Sequence, residues 1–448
     1  MAADADLFPL PLVPFERYML RDDSAEYPMT FCMLIDFRGE FDRAALEASL
    51  DDALPRHPLL CALVERVPKR GDCWVGARGS RPPFYWHTLA APLELPWGRA
   101  IDLRREPGLR LWVEQGGGAA RLTLQVHHAC ADGLGVLHFL GDLLAAYAAR
   151  TSPDGNGAKL ATLDPAALRR RDEFDLEPPE PLSQWEIHKA SAEEGYKFFG
   201  RKAVPVAGGS SIEGPLPFPG ICSHTFDVET TAALGEAAQR HEATLNDVLL
   251  RDAFCLMGDW NALGGEPVGR RWMRVNMPTS LRAKHHRRMP AANAMSYTFL
   301  ARRSADCRDP DALLQGIGRE TAWIRYWSLG LIYLGGIGLS LSVPGLFRLA
   351  TRRRCLASLV LSNLGDPTRQ FRTRLRDATG RVRAGNVVLE RLTGAPPIRP
   401  LTRVSILATR YAGQLTLSAL CDPRFFDAAG ARAFLGQYVE LLERTARA

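Results

Sequence analysis

The run His127-His128-Ala129-Cys130-Ala131-Asp132-Gly133 lies where the chain changes from a strand pattern to a helix pattern. Residues 121–126, just before it, alternate in polarity as a half-buried strand does. Residues 134–150, just after it, place leucines and a tyrosine at helical spacing. The sequence therefore predicts a strand, a tight turn and a helix, with two imidazoles at the end of the strand.

The residue types in this turn suit proton transfer. A neutral imidazole can accept a proton near pH 7, because its ordinary pKa is close to that value. Asp132 would lock the turn or orient the ring of His128, and Gly133 would let backbone or substrate approach closely. Adjacent histidines are also ordinary surface residues, and His285-His286, flanked by basic residues, is typical of such a pair.

The turn resembles the HHxxxDG signature of a large acyltransferase superfamily. This superfamily includes chloramphenicol acetyltransferase, peptide-synthetase condensation domains, polyketide-associated acyltransferases and bacterial wax-ester/diacylglycerol acyltransferases. Four further segments resemble family segments in the expected order: Arg56–Leu60, Ala243–Val248, Asn276–Arg282 and Ser362–Gly365. The DFGWG segment of some relatives has no equivalent near 361–367, which favours the wax-ester-synthase-like and polyketide-associated branches.

The resemblance implies an α/β (α+β) fold of two chloramphenicol-acetyltransferase-like lobes. These would form a V-shaped pseudo-dimer with an active-site tunnel at the interface. The sequence itself favours a duplication, since Leu415-Thr416-Leu417 followed by Phe434-Leu435-Gly436 mirrors Leu122-Thr123-Leu124 followed by Phe139-Leu140-Gly141. The second copy carries Cys421-Asp422-Pro423 in place of the histidines, so the duplication predicts one active site.

The chain divides into three predicted parts. Residues 1–165 form the N-terminal lobe, and residues 221–448 form the C-terminal lobe. Residues 166–220 lie in a stretch rich in proline, glycine and charge, which predicts a crossover linker rather than a packed layer. In the second lobe we expect strands over 272–276, 294–300, 358–361, 386–392, 404–409 and 414–420, and helices over 231–241, 246–260 and 427–444.

The resemblance also assigns roles within the turn. The family's second histidine is taken as the general base, so His128 would deprotonate an alcohol or amine as it attacks an acyl thioester, without a covalent acyl-enzyme. His127 would support the turn by hydrogen bonding. The family's aspartate is structural and pairs with an arginine of the other lobe, which makes Arg282 the best candidate partner of Asp132. The alternative is that Arg282 is one solvated arginine among several.

Other matched residues are assigned to the cleft. Asn246 and Asp247 are read as helix caps near it. Ser362, Asn363 and Gly365 would line the tunnel or position the thioester carbonyl.

Composition sets limits on partners and cofactors. The 448 residues suffice for two lobes, and 46% hydrophobic and 24% charged residues are ordinary for a globular protein. A net charge of +6 suits the phosphates of coenzyme A or an acidic acyl or peptidyl carrier protein. The sequence contains no basic stripe of the kind that indicates nucleic-acid binding. We expect acyl-CoA or acyl-phosphopantetheine as donor substrate and no tightly bound cofactor.

The cysteines and the N-terminus favour a cytoplasmic protein. Nine scattered cysteines without CxxC or Cys/His spacing predict reduced thiols and no metal site, and Cys130 is interpreted as structural. The first sixteen residues lack Lys and Arg, so they do not resemble a secretory signal. Trp327 to Phe347 is uncharged but rich in glycine. We expect it in the core or as a lining for an acyl chain, with shallow membrane contact as the alternative.

The leading hypothesis is an acyltransferase that moves an acyl group from a thioester, with acyl-CoA favoured, to the hydroxyl or amine of a small molecule or lipid. The first alternative is a stand-alone condensation enzyme that uses carrier-protein thioesters in natural-product assembly. The second is a non-catalytic binding protein of the same fold.

Overall fold

The structure is a computed structural model. It describes residues 7–76, 81–89, 91, 93, 98–152, 160–174, 184–209, 217–265, 269, 271–343, 345, 347, 354–371, 373, 375–378 and 380–448. The strands in the first part of the chain are β1 Leu10–Pro11, β2 Thr30–Arg38, β3 Leu63–Val67, β4 Gly71–Val75, β5 Phe84–Thr88, β6 Leu109–Gly116 and β7 Ala119–His127. Those in the rest are β8 Ile221–Thr225, β9 Trp272–Ser280, β10 Met295–Arg303, β11 Leu359–Gly365, β12 Arg383–Ala384, β13 Val387–Ala395, β14 Val404–Tyr411 and β15 Gln414–Cys421.

Helices connect and cover these strands. They are α1 Pro14–Asp22, α2 Arg43–Ala53, α3 Gly133–Thr151, α4 Gln184–Gly200, α5 Val228–Arg240, α6 Leu245–Leu263, α7 Pro310–Tyr326, α8 Gly330–Ser342 and α9 Ala428–Arg447. Several begin at an aspartate whose side chain accepts from a backbone N–H of the first turn, as Asp132 does for α3 and Asp427 for α9. The expected strands of the second half are all present, most of them longer than predicted.

Two six-stranded sheets organise the molecule. The first has the order β12-β13-β2-β7-β6-β5, and the second has the order β10-β9-β11-β14-β15-β8. Each sheet has its own hydrophobic core. Leu122 and Leu124 of β7 lie in the first core, and Leu415 and Leu417 of β15 lie in the second.

The two sheets repeat one arrangement. The β6–β7 hairpin is flanked by β2, antiparallel to β7, and by β5, parallel to β6. The β14–β15 hairpin is flanked by β8, antiparallel to β15, and by β11, parallel to β14. Helix α3 follows the first hairpin and α9 follows the second. This topology agrees with the duplication expected from the repeated triplets.

The sheets do not follow the predicted boundaries of the lobes. Strand β13, which was expected within the C-terminal lobe 221–448, pairs with β2 of the first sheet, so that Thr393 lies opposite Leu34 and Ala395 opposite Cys32. The C-terminal half therefore supplies part of the N-terminal lobe 1–165. Hydropathy predicts a buried strand but carries no information on which sheet the strand joins.

The expected linker 166–220 also contains a packed helix, α4. The ring of Phe198 lies 5.0 Å from the ring of Phe299 on β10, and Arg274 of β9 donates to the carbonyl of Phe198 over 2.7 Å. Proline and glycine clusters precede and follow α4, and they make the whole stretch resemble a linker in the sequence. The sequence therefore predicts a crossover segment here but not this helix, whose C-terminal end contacts the second sheet.

The apolar stretch Trp327 to Phe347 includes helix α8. Tyr333 and Leu334 pack against the first core and Ile332 against the second, whereas Leu339 is 64% exposed. Among the residues that the structure describes, no helix is long and apolar enough to cross a membrane.

Candidate active site

The histidine turn is held by both halves of the chain. The backbone N–H of His128 donates to the carbonyl of Met29 at 2.7 Å. From the other half, the side-chain Nδ2 of Asn293 donates to the carbonyls of His128 and Ala129, at 2.6 and 2.9 Å. Sequence reasoning missed Asn293, although it lies only eleven residues after Arg282, the end of a family-like segment. The turn is thereby fixed relative to the second sheet.

The two imidazoles have different surroundings. His127 is fully buried, and its Nδ1 accepts from the backbone N–H of Ala129 at 3.1 Å. Its Nε2 lies 3.9 Å from a carboxylate oxygen of Asp23. These contacts brace the turn and leave the ring of His127 no approach to a substrate.

His128 instead lines a cavity between the sheets. Its ring centre lies 5.0 Å from that of Phe31, and 8% of the residue is exposed. Burial lowers the pKa of His128 below its ordinary value of 6.5, and the charge of Asp132 offsets this only in part. The Nδ1 atom has no hydrogen-bond partner among the described residues. An imidazole that is neutral at physiological pH can take a proton from a bound nucleophile.

Asp132 locks the turn, and Arg282 is its partner. Both terminal nitrogens of Arg282 donate to the carboxylate, at 2.7 and 2.8 Å, and the N–H groups of Ala294 and Gly135 donate to it at 2.9 and 2.8 Å. Burial alone would raise the pKa of Asp132, but Arg282 and the two N–H groups outweigh burial, so the pKa is lowered. Of the two roles that the sequence left open for Asp132, these contacts favour the lock.

Gly133 lines the cavity, and the closest approach of another backbone segment to the start of α3 is at Gly135. A Cβ on Gly133 would meet Leu364 and Met33 at 3.4 Å, which is ordinary van der Waals contact. A Cβ on Gly135 would lie 2.8 Å from the carbonyl oxygen of Ala292. The first turn of α3 therefore packs against the segment before β10 most tightly at Gly135.

The cavity measures about 230 Å³ and is lined by both sheets. The first sheet contributes an apolar wall that includes Phe31 and Met33, together with His128. The second sheet contributes apolar side chains that include Met295, Val360 and Leu407, and the polar, uncharged side chains of Asn276, Thr279, Ser280, Ser362 and Asn363. The ion-paired Arg282 and Arg399 also line it. No described residue of 327–347 does, so the expected acyl-chain lining is not found there.

The remaining predicted residues fall into two groups. Ser362 and Asn363 line the cavity, and Asn363 donates to Oδ1 of Asn246 at 3.3 Å. Asn246 does not cap α6, because Thr244 is the N-cap residue. Asp247 completes the capping box, and its carboxylate also accepts from Thr321 at 2.6 Å, so it is used within the second lobe.

Gly365 ends β11 in a left-handed conformation, with a φ of 59°, after a bulge between Asn363 and Gly365. It shapes the end of the strand that bears Ser362 and Asn363. Within the described part of the chain, no three His, Cys, Asp or Glu side chains cluster as a metal site.

Together, the repeated sheets and the histidine turn between them define a two-lobed fold. Solved structures share this fold over nearly the whole chain. The first condensation domain of the CDA synthetase is similar with a TM-score of 0.69 at 16% identity, covering 98% of this chain and 95% of that one. A variant starter condensation domain of rhizomide synthetase, in complex with C8-CoA and Leu-SNAC, gives 0.66 at 12% identity, covering 99% and 96%.

Polyketide synthase associated protein 5 from Mycobacterium tuberculosis gives a TM-score of 0.62 at 18% identity and covers 98% of each chain. No family model and no curated protein matches the sequence. The predicted α/β (α+β) fold of two lobes is confirmed. The fold is the one expected from the resemblance to the HHxxxDG superfamily.

Proposed function

We propose that this protein is an acyltransferase that moves an acyl group from a thioester to a hydroxyl or amine. The observation that carries the proposal is the position of His128, a buried imidazole with a lowered pKa at the cavity shared by both sheets. General base catalysis by such a group contributes roughly 10²–10⁴-fold. The acceptor and the thioester would meet at this ring.

The proposed reaction uses one base and no covalent acyl-enzyme. The acceptor oxygen or nitrogen attacks the thioester carbonyl carbon while His128 takes its proton. The tetrahedral intermediate then collapses, the C–S bond breaks, and the sulfur leaves as a thiol after receiving that proton. Burial supports this by raising the pKa of the Cys32 thiol in the cavity to about 12 and that of Cys130 well above its ordinary value, which disfavours either thiolate as nucleophile.

The favoured donor is acyl-CoA, and the alternative is a thioester on an acyl or peptidyl carrier protein. The starter condensation domain with the same fold was solved with C8-CoA, which supports the first. The condensation domains of peptide synthetases support the second. Neither donor requires a tightly bound cofactor.

The test is release of free thiol from acyl-CoA and from acyl-carrier thioesters, with small-molecule and lipid alcohols and amines as acceptors. Release that requires His128 supports the transferase, and the preferred donor separates the two enzyme hypotheses. Binding without release from any thioester would instead identify a non-catalytic protein of this fold.

We also propose a cytoplasmic location, with shallow membrane contact through residues 327–347 as the alternative. The nine cysteines are all free, which suits a reducing compartment. Leu339 and Val343 are 64% and 44% exposed on or just after α8, and the uncharged stretch is followed in the sequence by several arginines. Exposed apolar side chains with a basic flank are typical of membrane-surface helices. Such contact would bring lipid acceptors to the protein.

A further inference from the structure

Two buried polar side chains that line the cavity each have one atom without a hydrogen-bond partner among the described residues. Asn276 of β9 is 7% exposed, and its Oδ1 has no hydrogen-bond partner among the described residues. Arg399, which follows β13, is 8% exposed, and its Nη1 likewise has none. Both side chains line the cavity that holds His128. Buried polar atoms in folded proteins are nearly always hydrogen-bonded, so each of these atoms calls for a partner from outside the chain.

The strand register places Asn276 near the start of β11 and β14, and Arg399 lies in the segment that joins β13 to β14. Asn276 lies beside Val360 in the pairing of β9 with β11, and Val360 lies beside Ser405 near the start of β14, six residues after Arg399. The other end of the same strands carries Ser280 and Asn363. Along the chain, Asn276 is therefore four residues before Ser280 and six before Arg282, which meets Asp132.

The Arg399 guanidinium is fixed and its charge is balanced. Its Nε and Nη2 donate to the two carboxylate oxygens of Asp22 on α1, at 2.5 and 2.7 Å. The hydroxyl of Tyr18 also donates to Asp22, at 3.4 Å. Because the pair has no net charge, this part of the cavity offers hydrogen bonds and does not offer a strong attraction for an anion.

We propose that Asn276 and Arg399 form a subsite for an uncharged hydrogen-bonding group of a substrate, an amide or a hydroxyl, in preference to an alkyl chain. The Nη1 of Arg399 donates a hydrogen bond to the oxygen of that group. The Oδ1 of Asn276 accepts a hydrogen bond from the N–H or O–H of the same group. The inference rests on the proposed transferase, since the group belongs to the acyl donor or to the acceptor.

The experiment measures binding of matched probes by ligand-observed NMR, without turnover. Leucinamide is compared with 3-methylbutylamine, which lacks the carboxamide, and 3-hydroxyoctanoyl-pantetheine is compared with octanoyl-pantetheine. We expect about tenfold tighter binding of the polar member of one pair, the effect of about one buried hydrogen bond. The pair that shows the preference identifies the substrate that fills the subsite. Equal affinities within both pairs would overturn the proposal.

Variants assign the preference to the two residues. Asn276→Leu, and the double variant Asp22→Leu with Arg399→Met, should each reduce the preference to less than about threefold. The double variant removes both charges together, because removing one alone would leave the other buried and uncompensated. Asn261→Leu is the matched control, since Asn261 is also 7% exposed but bonds to Ala207, away from the cavity.

Retention of the full preference in both cavity variants would overturn the assignment, as would its equal loss in Asn261→Leu. Because binding is measured without chemistry, the subsite can be upheld even if no thioester is ever cleaved. Conversely, thiol release with equal affinities in both pairs would reject the subsite and leave the transferase standing.

Discussion

Arg282 donates both terminal guanidinium nitrogens to the carboxylate of Asp132, at 2.7 and 2.8 Å, from the strand end of the second sheet to the helix start of the first. The two side chains are 13% and 3% exposed. Arg282 also donates to the carbonyl of Ala292 at 3.1 Å. This pair therefore joins the two halves of the chain directly beside His128.

Removing one member of that pair should destabilise the protein. We expect Arg282→Ala to lower the free energy of unfolding by about 3–5 kcal/mol, because the buried Asp132 charge loses its partner. Urea unfolding followed by circular dichroism measures this. Arg38→Ala is the control, because Arg38 and Glu390 form an exposed pair with side chains 66% and 38% accessible, and its cost should be under about 1 kcal/mol. An Arg282→Ala protein of full stability and activity would contradict the role given to the pair.

Loss of the imidazole should remove activity without unfolding the chain. We expect His128→Ala to slow thiol release by at least about 100-fold, the lower range of general base catalysis. Circular dichroism and the unfolding midpoint check that the variant folds. His285→Ala serves as the control, because His285 lies in the other histidine pair, away from the cavity. Unchanged thiol release in His128→Ala would reject the base, and a stable acyl adduct in intact-mass spectra of the wild type would reject a mechanism without an acyl-enzyme.

The pH profile of kcat/KM should show an acidic limb with a midpoint below 6.5, because burial lowers the pKa of His128 and the base acts only when neutral. The same shift affects stability. Between the folded pKa and 6.5 the unfolded chain binds more protons than the folded one, so the free energy of unfolding rises with pH in this window. Paired urea titrations of the wild type and His128→Gln should show a smaller rise in the variant. A midpoint above 6.5 would contradict the prediction.

Two glycines at the start of α3 should respond differently to an added methyl group. Gly135→Ala places a Cβ 2.8 Å from the carbonyl oxygen of Ala292, and we expect a loss of about 1–3 kcal/mol from overpacking. Gly133→Ala meets its neighbours at 3.4 Å and should change stability by less than about 1 kcal/mol. Thermal unfolding compares the two. Equal losses would show that Gly135 does not mark the tighter contact.

Membrane contact can be tested with the exposed residues of α8 and its end. We expect Leu339→Asp with Val343→Asp to weaken cosedimentation with phosphatidylglycerol vesicles by at least about tenfold, because two apolar side chains leave the lipid. Leu263→Asp is the control, since Leu263 is 76% exposed at the end of α6. Wild-type protein that stays in the supernatant at every vesicle concentration would reject the contact.

The sequence could place the histidine turn, because its chemistry is local. A strand pattern, two imidazoles, an acid and a glycine are all visible within a dozen residues, and Asp132 caps the helix that follows, as its residue type favours. Its partner Arg282 lies 150 residues further along the chain. Hydropathy and spacing carry no information on contacts at such a separation, so only the resemblance to the family points to this pair.

Other parts of the site depend on tertiary packing that no local pattern encodes. Asn293 and Ala294 lie in the segment between β9 and β10, and the pairing of these strands brings them to the turn. The sequence around them carries no motif. Asn276 is the first residue of a family-like segment, and Arg399 lies outside all of these segments. Likewise, the tight contact falls at Gly135 rather than Gly133 because the approach of the segment before β10 decides where the space is smallest.

Strand β13 bears on how this protein can be cut or recombined. Residues 387–395 belong to the first sheet, and after eight intervening residues β14 is already in the second. A fragment that ends near residue 165 would lack β13, so β2 would become an exposed edge strand of the first sheet. Exposed edge strands are prone to self-association. We therefore expect that the two lobes cannot be produced as separate fragments, and that a circular permutation is tolerated only where it leaves the connection between β13 and β14 intact.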